Sequence, residues 1–284
     1  MIDNILYNIH GRLRRLHFPL TMGIINLSPD SFFSTSAVLN AADAVKRAEK
    51  HILEGAAILD LGAISTRPGA QIISPEEEMD RLLPAFREIR AMSKETLISI
   101  DTVHSITAHK LLDLGADIIN DVSAGTYAEN MPAIIAQYNV PMIAMHMRGT
   151  PATMHKEDYA PYTNITAEVL QFFSAKINDL NAHGITQIIV DPGFGFSKKM
   201  NDNYTLLRQL EFFRILDRPL LIGISRKSMI YKLLETDPEQ ALNGTLAAQT
   251  IALIKGADIL RVHDVGPAME VIKVVSRTDH SDKF

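Results

Sequence analysis

Eight short runs of near-continuous aliphatic residues recur along the chain, at residues 20–26, 57–61, 97–101, 117–120, 141–146, 187–191, 219–225 and 258–263. They are rich in Ile, Leu, Val and Met and do not alternate with polar residues. That pattern predicts strands buried on both faces, as in a parallel sheet. The segments between them have helical period. Ala41, Val45, Ala48 and Ile52 recur along one predicted helix face. Ser74, Pro75 and Glu77 predict a helix start, with Ser as N-cap, Pro at the first position and Glu completing a capping box. Gly115, Gly184 and Gly256 each fall where a helical segment should stop before the next strand. Eight strand–helix units predict an α/β fold of the (β/α)8 TIM-barrel type, whose usual size is ~250 residues. An open doubly wound sheet is the alternative. No linker or low-complexity stretch divides the chain, so one domain is expected, with residues 1–19 as an N-terminal extension and residues 20–280 as the barrel.

Each run ends in a polar residue: Asn26, Asp60, Asp101, Asn120, His146, Asp191, Ser225 and His263. Polar residues after strands often only cap the next helix. In a barrel, however, all eight strand C-termini converge on the face that carries the active site. The pattern therefore predicts a deep pocket lined with carboxylates and amides.

Composition narrows the chemistry. The 284 residues are 46% hydrophobic and 21% charged, which suits a packed core. Cys is absent, which excludes disulfides, thiolate metal sites and a Cys nucleophile. With 28 Lys+Arg against 33 Asp+Glu the net charge is −5, a poor match to nucleic acid. No apolar run approaches the roughly 20 residues of a membrane span. The first 15 residues have no apolar signal core, so a cytoplasmic location is expected.

Asp101, Asn120 and Asp191 close the third, fourth and sixth runs. Two carboxylates and an amide suit acid–base work, a metal, or a heterocycle with amino and lactam edges, since ionised carboxylates only accept hydrogen bonds while Asn also donates. Ser65-Thr66-Arg67-Pro68-Gly69 reads as a loop carrying a guanidinium fork. Ser225-Arg226-Lys227-Ser228 puts cations and hydroxyls at a predicted helix start, a setting for an anion or acceptor-rich ligand. Arg261 lies two residues before His263, hence on the same strand face. Asp191-Pro192-Gly193-Phe194-Gly195-Phe196 lacks the third Gly of a dinucleotide fingerprint, and no phosphate loop or His-Glu-x-x-His motif is present. No His pair has zinc-site spacing, and His146 and His155 read as loop residues.

The segment Met22-Gly23-Ile24-Ile25-Asn26-Leu27-Ser28-Pro29-Asp30-Ser31-Phe32 resembles the opening signature of bacterial dihydropteroate synthases. The resemblance continues, in the family's order, through Ser65–Gly69, Ser99-Ile100-Asp101-Thr102, Ile119-Asn120-Asp121-Val122, Met145-His146-Met147, residues 191–196, Ser225–Ser228 and Arg261-Val262-His263-Asp264-Val265. It implies a barrel enzyme of folate synthesis that joins p-aminobenzoate to 6-hydroxymethyl-7,8-dihydropterin pyrophosphate and releases pyrophosphate. By motif match, Asp101, Asn120, Asp191, Lys227, Met145 and Phe196 would hold the pterin, with Arg261 stacked on its ring. Asp101, Lys227 and Arg261 would carry the catalysis. Asn26, Arg261 and His263 would face the pyrophosphate, Asn26 would contact Mg2+, and Phe32, Thr66, Arg67, Pro68 and Ser228 would shape the p-aminobenzoate site. The family also implies a homodimer and a site that sulfonamides, as p-aminobenzoate mimics, would enter.

Two loops depart from the family pattern. Where it usually continues Ser-Asp-Gly-Gly, this chain has Phe33-Ser34-Thr35-Ser36, and a usual Glu two positions before Thr66 is Ile64. The loss of a carboxylate and two glycines implies weaker metal binding, slower loop closure or lower sulfonamide sensitivity, with Asp30 as a substitute metal contact. It also motivates an alternative, a non-catalytic pterin-binding paralogue. A corrinoid-dependent methyltransferase barrel would share the Asp/Asn/Asp pocket but has no reason to keep Ser65–Gly69 or Ser225–Ser228.

Overall fold

A computed structural model describes residues 4–27, 41–63, 72–150, 153, 159 and 161–279. The described residues begin with an antiparallel hairpin, β1 (Asn4–Ile9) and β2 (Arg12–His17), turned at His10 and Gly11. Eight parallel strands follow: β3 (Leu20–Asn26), β4 (Ile58–Gly62), β5 (Leu97–Asp101), β6 (Ile118–Asp121), β7 (Met142–Met145), β8 (Ile188–Asp191), β9 (Leu221–Ile222) and β10 (Ile259–Val262). Their order is β8-β7-β6-β5-β4-β3-β10-β9. A single bridge, Val190 to Leu220, with the Val190 amide donating to the Pro219 carbonyl at 2.9 Å, joins β8 to the segment leading into β9. The sheet is thus a nearly closed barrel, not an open doubly wound sheet. Around it run the helices α1 (Ala41–Leu53), α2 (Pro75–Met92), α3 (Ser105–Asp113), α4 (Met131–Tyr138), α5 (Ile165–Ala182), α6 (Met200–Arg208), α7 (Ser228–Tyr231), α8 (Leu242–Ile254) and α9 (Val265–Asp279).

The main core fills the layer between strands and helices: Ile25, Leu59, Ile100, Ile119, Ala144, Val190 and Ile222 face Ala48, Leu82, Leu111, Phe173 and Ala252. A second apolar cluster lies inside the barrel at the N-terminal end of its strands. Leu20, Met22, Ile58, Leu97, Ile118, Ile143, Ile189, Leu221 and Ile259 meet Tyr7, Ile9 and Leu16 of the hairpin. Residues 1–19 were expected only as an extension. Their described part is instead a plug that closes the bottom of the barrel. The clue was the alternation of Ile5, Tyr7 and Ile9, a one-sided strand.

Other local expectations shift in detail. α1 forms as predicted, but its fully buried face is Ala44, Ala48 and His51, while Ala41, Val45 and Ile52 pack at the margin of the core. α2 begins at Ser74, whose Oγ accepts from the Glu77 amide at 3.2 Å. The Glu77 carboxylate pairs forward with Arg81 at 2.5 Å, so only half of the capping box exists. Gly115, Gly184 and Gly256 follow α3, α5 and α8 with positive φ, as their placement predicted. Of residues 219–225 only Leu221 and Ile222 form regular strand, because the segment turns early into the loop that presents Lys227.

Candidate active site

Within several strands the inward-facing residue changes character over one step of two, to a polar residue on four of them and to the pocket's apolar wall at Met145. Ile58 gives way to Asp60, Ile118 to Asn120, Ile143 to Met145, Ile189 to Asp191 and Ile259 to Arg261. Alternate residues share a face, so these pairs stack along the barrel interior and place the polar set about 7 Å above the apolar floor.

The polar set is a network. Arg261 donates from Nε to Asp60 Oδ2 at 2.6 Å and from Nη2 to Asp101 Oδ2 at 2.7 Å. Asn120 Nδ2 donates to the same Asp60 oxygen at 3.0 Å. Asp60 is fully buried and its other oxygen has no hydrogen-bond partner among the described residues. Gly62 leaves room for the arrangement: a Cβ there would sit 3.1 Å from Asp101 Cβ. Burial raises the pKa of Asp101; Arg261 opposes that shift, while Asp60, Glu78 and Asp121 reinforce it. Burial alone would lower the pKa of Arg261, but Asp60 and Asp101 outweigh it and fix the positive charge.

Across the pocket, Asp191 Oδ1 accepts from the Gly193 amide at 2.8 Å. Burial raises its pKa, with Lys227 pulling the other way. Lys227 donates to the Phe194 carbonyl and lies 4.4 Å over the Phe196 ring. Burial brings its pKa down to about 8. Lys198 donates to the carbonyls of Gly193 (2.9 Å), Phe196 (3.0 Å) and His146 (3.2 Å) and approaches His146 Nδ1 at 3.0 Å. The turn at residues 193–196 is therefore gripped by two lysines. Only glycine serves at position 193, since its φ is +71° and a Cβ would lie 2.0 Å from the His146 carbonyl oxygen. Val103, Val122, Met145 and Phe196 form an apolar wall beside these charges.

Most of the predicted residues are placed by this geometry. Asp101, Asn120 and Arg261 share one network, and Asp191, Lys227, Met145 and Phe196 line the facing side. Asn26 ends β3, paired in register with Gly62. His263 follows β10 with Nδ1 3.1 Å from Ser225 Oγ, and its pKa falls to about 3 through burial and then Arg261. Ser228 opens α7. Phe32, Thr66, Arg67 and Pro68, with Asp30, Ser34 and Ile64, lie outside the described residues.

Several expectations change. Arg226 was grouped with Lys227 as an anion contact. Instead it turns to Asp264 with a two-pronged pair at 2.8 and 2.9 Å and donates to the Pro238 and Glu239 carbonyls. His146 follows β7 outside regular strand, as expected of a loop residue, but it is buried, and burial, then Lys198 and Arg148, lower its pKa to about 2. His155 lies outside the described residues. Asp60 and Lys198 received no role from the sequence. Asp60 was visible as a polar strand end, but its partners sit 60 and 201 positions away in the chain. Lys198 stands beside Lys199 with nothing local to mark it as the buried one. Among the described residues no group of three His, Asp or Glu is placed to hold a metal, and no helix is long and apolar enough to cross a membrane.

This arrangement can hold a flat, polar heterocycle between acceptor-rich and cationic walls. Residues 22–263 match the family model described as pterin binding enzyme. The chain is 41% identical to the dihydropteroate synthase of Escherichia coli strain K12 over 265 residues, 93% of each chain. It is also 41% identical to the dihydropteroate synthase of Synechocystis over 256 residues, 89% of this chain and 88% of that protein. Its fold superimposes on a Yersinia pestis dihydropteroate synthase solved as a sulfonamide drug complex, with TM-score 0.91, 34% identity and coverage of 98% and 100%. A Xanthomonas albilineans dihydropteroate synthase with 4-aminobenzoic acid gives TM-score 0.88 at 34% identity, covering 97% and 98%.

Proposed function

This chain belongs to the pterin-binding enzyme family, among its dihydropteroate synthases, and from that premise we propose how its side chains divide the work. The reaction joins p-aminobenzoate to 6-hydroxymethyl-7,8-dihydropterin pyrophosphate in folate biosynthesis. The methylene C–O bond breaks, a C–N bond forms, pyrophosphate leaves with the bonding pair, and the arylamine nitrogen loses a proton. No covalent enzyme intermediate is needed, so catalysis is positioning plus electrostatics.

Asp101, Asn120 and Asp191 offer hydrogen-bond acceptors, and Asn120 a further donor, to the N–H-rich edge of the pterin. Lys227 donates to its carbonyl side, and Met145 and Phe196 cover its apolar surface. Arg261 stacks on the ring and, with His263 and Asn26, meets the departing pyrophosphate. Asp101 offsets positive charge that develops on the pterin as the C–O bond stretches. Phe32, Thr66, Arg67, Pro68 and Ser228 shape the p-aminobenzoate site, which would also admit sulfonamides.

The donor set is compatible with Mg2+ held chiefly by substrate phosphates and water, with Asn26 supplying one amide oxygen. When bound, it would neutralise leaving-group charge. The observation that carries the whole reading is the buried pairing of Arg261 with both Asp60 and Asp101 at the strand ends. Incubating purified protein with both substrates and Mg2+ should release pyrophosphate and form dihydropteroate in equal amounts. No release at high enzyme concentration would defeat the reading, and pterin binding without turnover would favour the non-catalytic paralogue.

We further propose a cytoplasmic homodimer. Phe212 and Ile215 are exposed before β9, Ile251 and Ile254 are exposed on α8, and the Lys255–Glu211 pair at 3.0 Å brings these two segments side by side. An apolar patch of this kind suits a subunit interface. Sedimentation of the purified protein at twice the monomer mass would support it, and a monomer at assay concentration would not.

A further inference from the structure

Asp60 occupies a position that the proposed division of labour does not explain. It is fully buried, one residue layer from the apolar floor, and carries the acceptor shared by two side chains from distant strands. Arg261 comes from β10 and Asn120 from β6, and nothing else among the described residues links them directly. Their common partner is Asp60 Oδ2, while Oδ1 is buried with no hydrogen-bond partner. A buried carboxylate with one oxygen doubly used and one unused is a costly arrangement for folding alone. Its geometric effect is specific. One N–H of Asn120 is committed to Asp60, which fixes the amide orientation and leaves one N–H and the carbonyl oxygen for a ligand. The Nε of Arg261 is committed likewise, which holds the guanidinium plane while its Nη2 donates to Asp101.

We propose that Asp60 is a positioning residue for the pterin, registering the Arg261 guanidinium and the Asn120 amide against a single oxygen without touching substrate. The proposal rests on the pterin site described above. Asp60 also acts on Asp101, which is faced by Arg261, Asp60, Glu78, Asp121 and Lys227. Removing the Asp60 charge deletes one of the anions that raise the proton affinity of Asp101, and frees Arg261 to pair with Asp101 alone. Both changes act in the same direction, toward a more acidic Asp101.

The test is Asp60→Asn, measured beside the unaltered protein. The KM for dihydropterin pyrophosphate should rise about 10- to 100-fold, as expected for a misregistered binding group, while the KM for p-aminobenzoate stays within about twofold. The acid limb of kcat/KM should move to lower pH, a change that a merely structural role would not produce. In an Asn120→Ala background the effect of Asp60→Asn should shrink, because part of what Asp60 holds is already gone. Equal loss for both substrates, an unmoved acid limb, or additive effects in the double variant would overturn the proposal. Asp60→Ser gives the same comparison if Asp60→Asn does not fold. Failure of both to fold would also overturn it, by making Asp60 a scaffold residue. If the unaltered protein binds no pterin by calorimetry, the site reading fails instead, which separates the two.

Discussion

At the N-terminal end of the barrel, Leu20, Ile58, Leu97, Ile118, Ile143, Ile189, Leu221 and Ile259 close against Tyr7, Ile9 and Leu16 of the hairpin. At the other end of the same strands stand Asp60, Asp101, Asn120, Asp191 and Arg261, held by charge-assisted hydrogen bonds and edged by Met145 and Phe196. The separation between the two is one inward-facing step on several strands. Stability and chemistry are thus stacked on the same backbone, with the fold sealed below and the ionised groups spent above. This explains why so many buried charges are tolerated: the floor is complete without them, and each charge is matched by an opposite one or by backbone groups.

That contrast can be broken at either end. The largest effect is expected for Lys227→Ala, which should lower kcat/KM by about 100-fold or more, with thermal melting little changed. Unfolding of that variant would show that the upper layer carries the fold as well. Tyr7→Ala should do the reverse. Opening a cavity in the plug should cost about 3–5 kcal/mol in denaturant titration, while the molecules that remain folded keep the original KM values.

A pH series sharpens the comparison without mutation. Lys227 must be protonated to donate, and burial lowers its pKa to about 8, so kcat/KM should fall about tenfold per pH unit above that value. The stability contribution runs the other way. Between about 8 and the ordinary lysine value the unfolded chain binds the proton and the folded one does not, so this contribution to stability rises with pH. Lys198, with its pKa lowered to about 7 mainly by burial, adds in the same direction. Activity falling while chemical stability holds or grows is the expected outcome, and parallel loss of both would contradict it. The smallest effect is Tyr7→Phe. The Tyr7 hydroxyl is buried with no hydrogen-bond partner among the described residues, so deleting it should leave stability unchanged or raise it by up to about 1 kcal/mol.

The barrel was legible because eight aliphatic runs ended in polar residues at regular intervals, a pattern set by strands buried on both sides. Asp101, Asn120 and Asp191 end their runs, Arg261 lies two residues before one end and Lys227 two after another, so their place near the pocket was legible, while their roles came from the family resemblance. Asp60 lay in the same pattern and went unassigned, since its meaning is a three-way contact among strands that sequence spacing does not reveal. Arg226 failed for the opposite reason. It is adjacent to Lys227 in sequence, but its backbone sits at φ 55° and sends the side chain to Asp264. The hairpin is hard to read from sequence because Arg12, Arg14 and Arg15 interrupt the apolar pattern of its second strand, and only the one-sided alternation of Ile5, Tyr7 and Ile9 marks the first.

The bridge between Val190 and Leu220 is the thinnest place in the barrel wall, and β9 beside it contributes only two regular strand residues. Asp191 follows on one side of that seam and Lys227 on the other. Under the proposed division of labour, a pterin held by both would span the seam like a rivet across a joint. Occupancy of the site should therefore slow amide exchange at Val190 and Leu221 more than at the well-paired β3–β4 junction. The substrate, in effect, would then complete the cylinder that binds it.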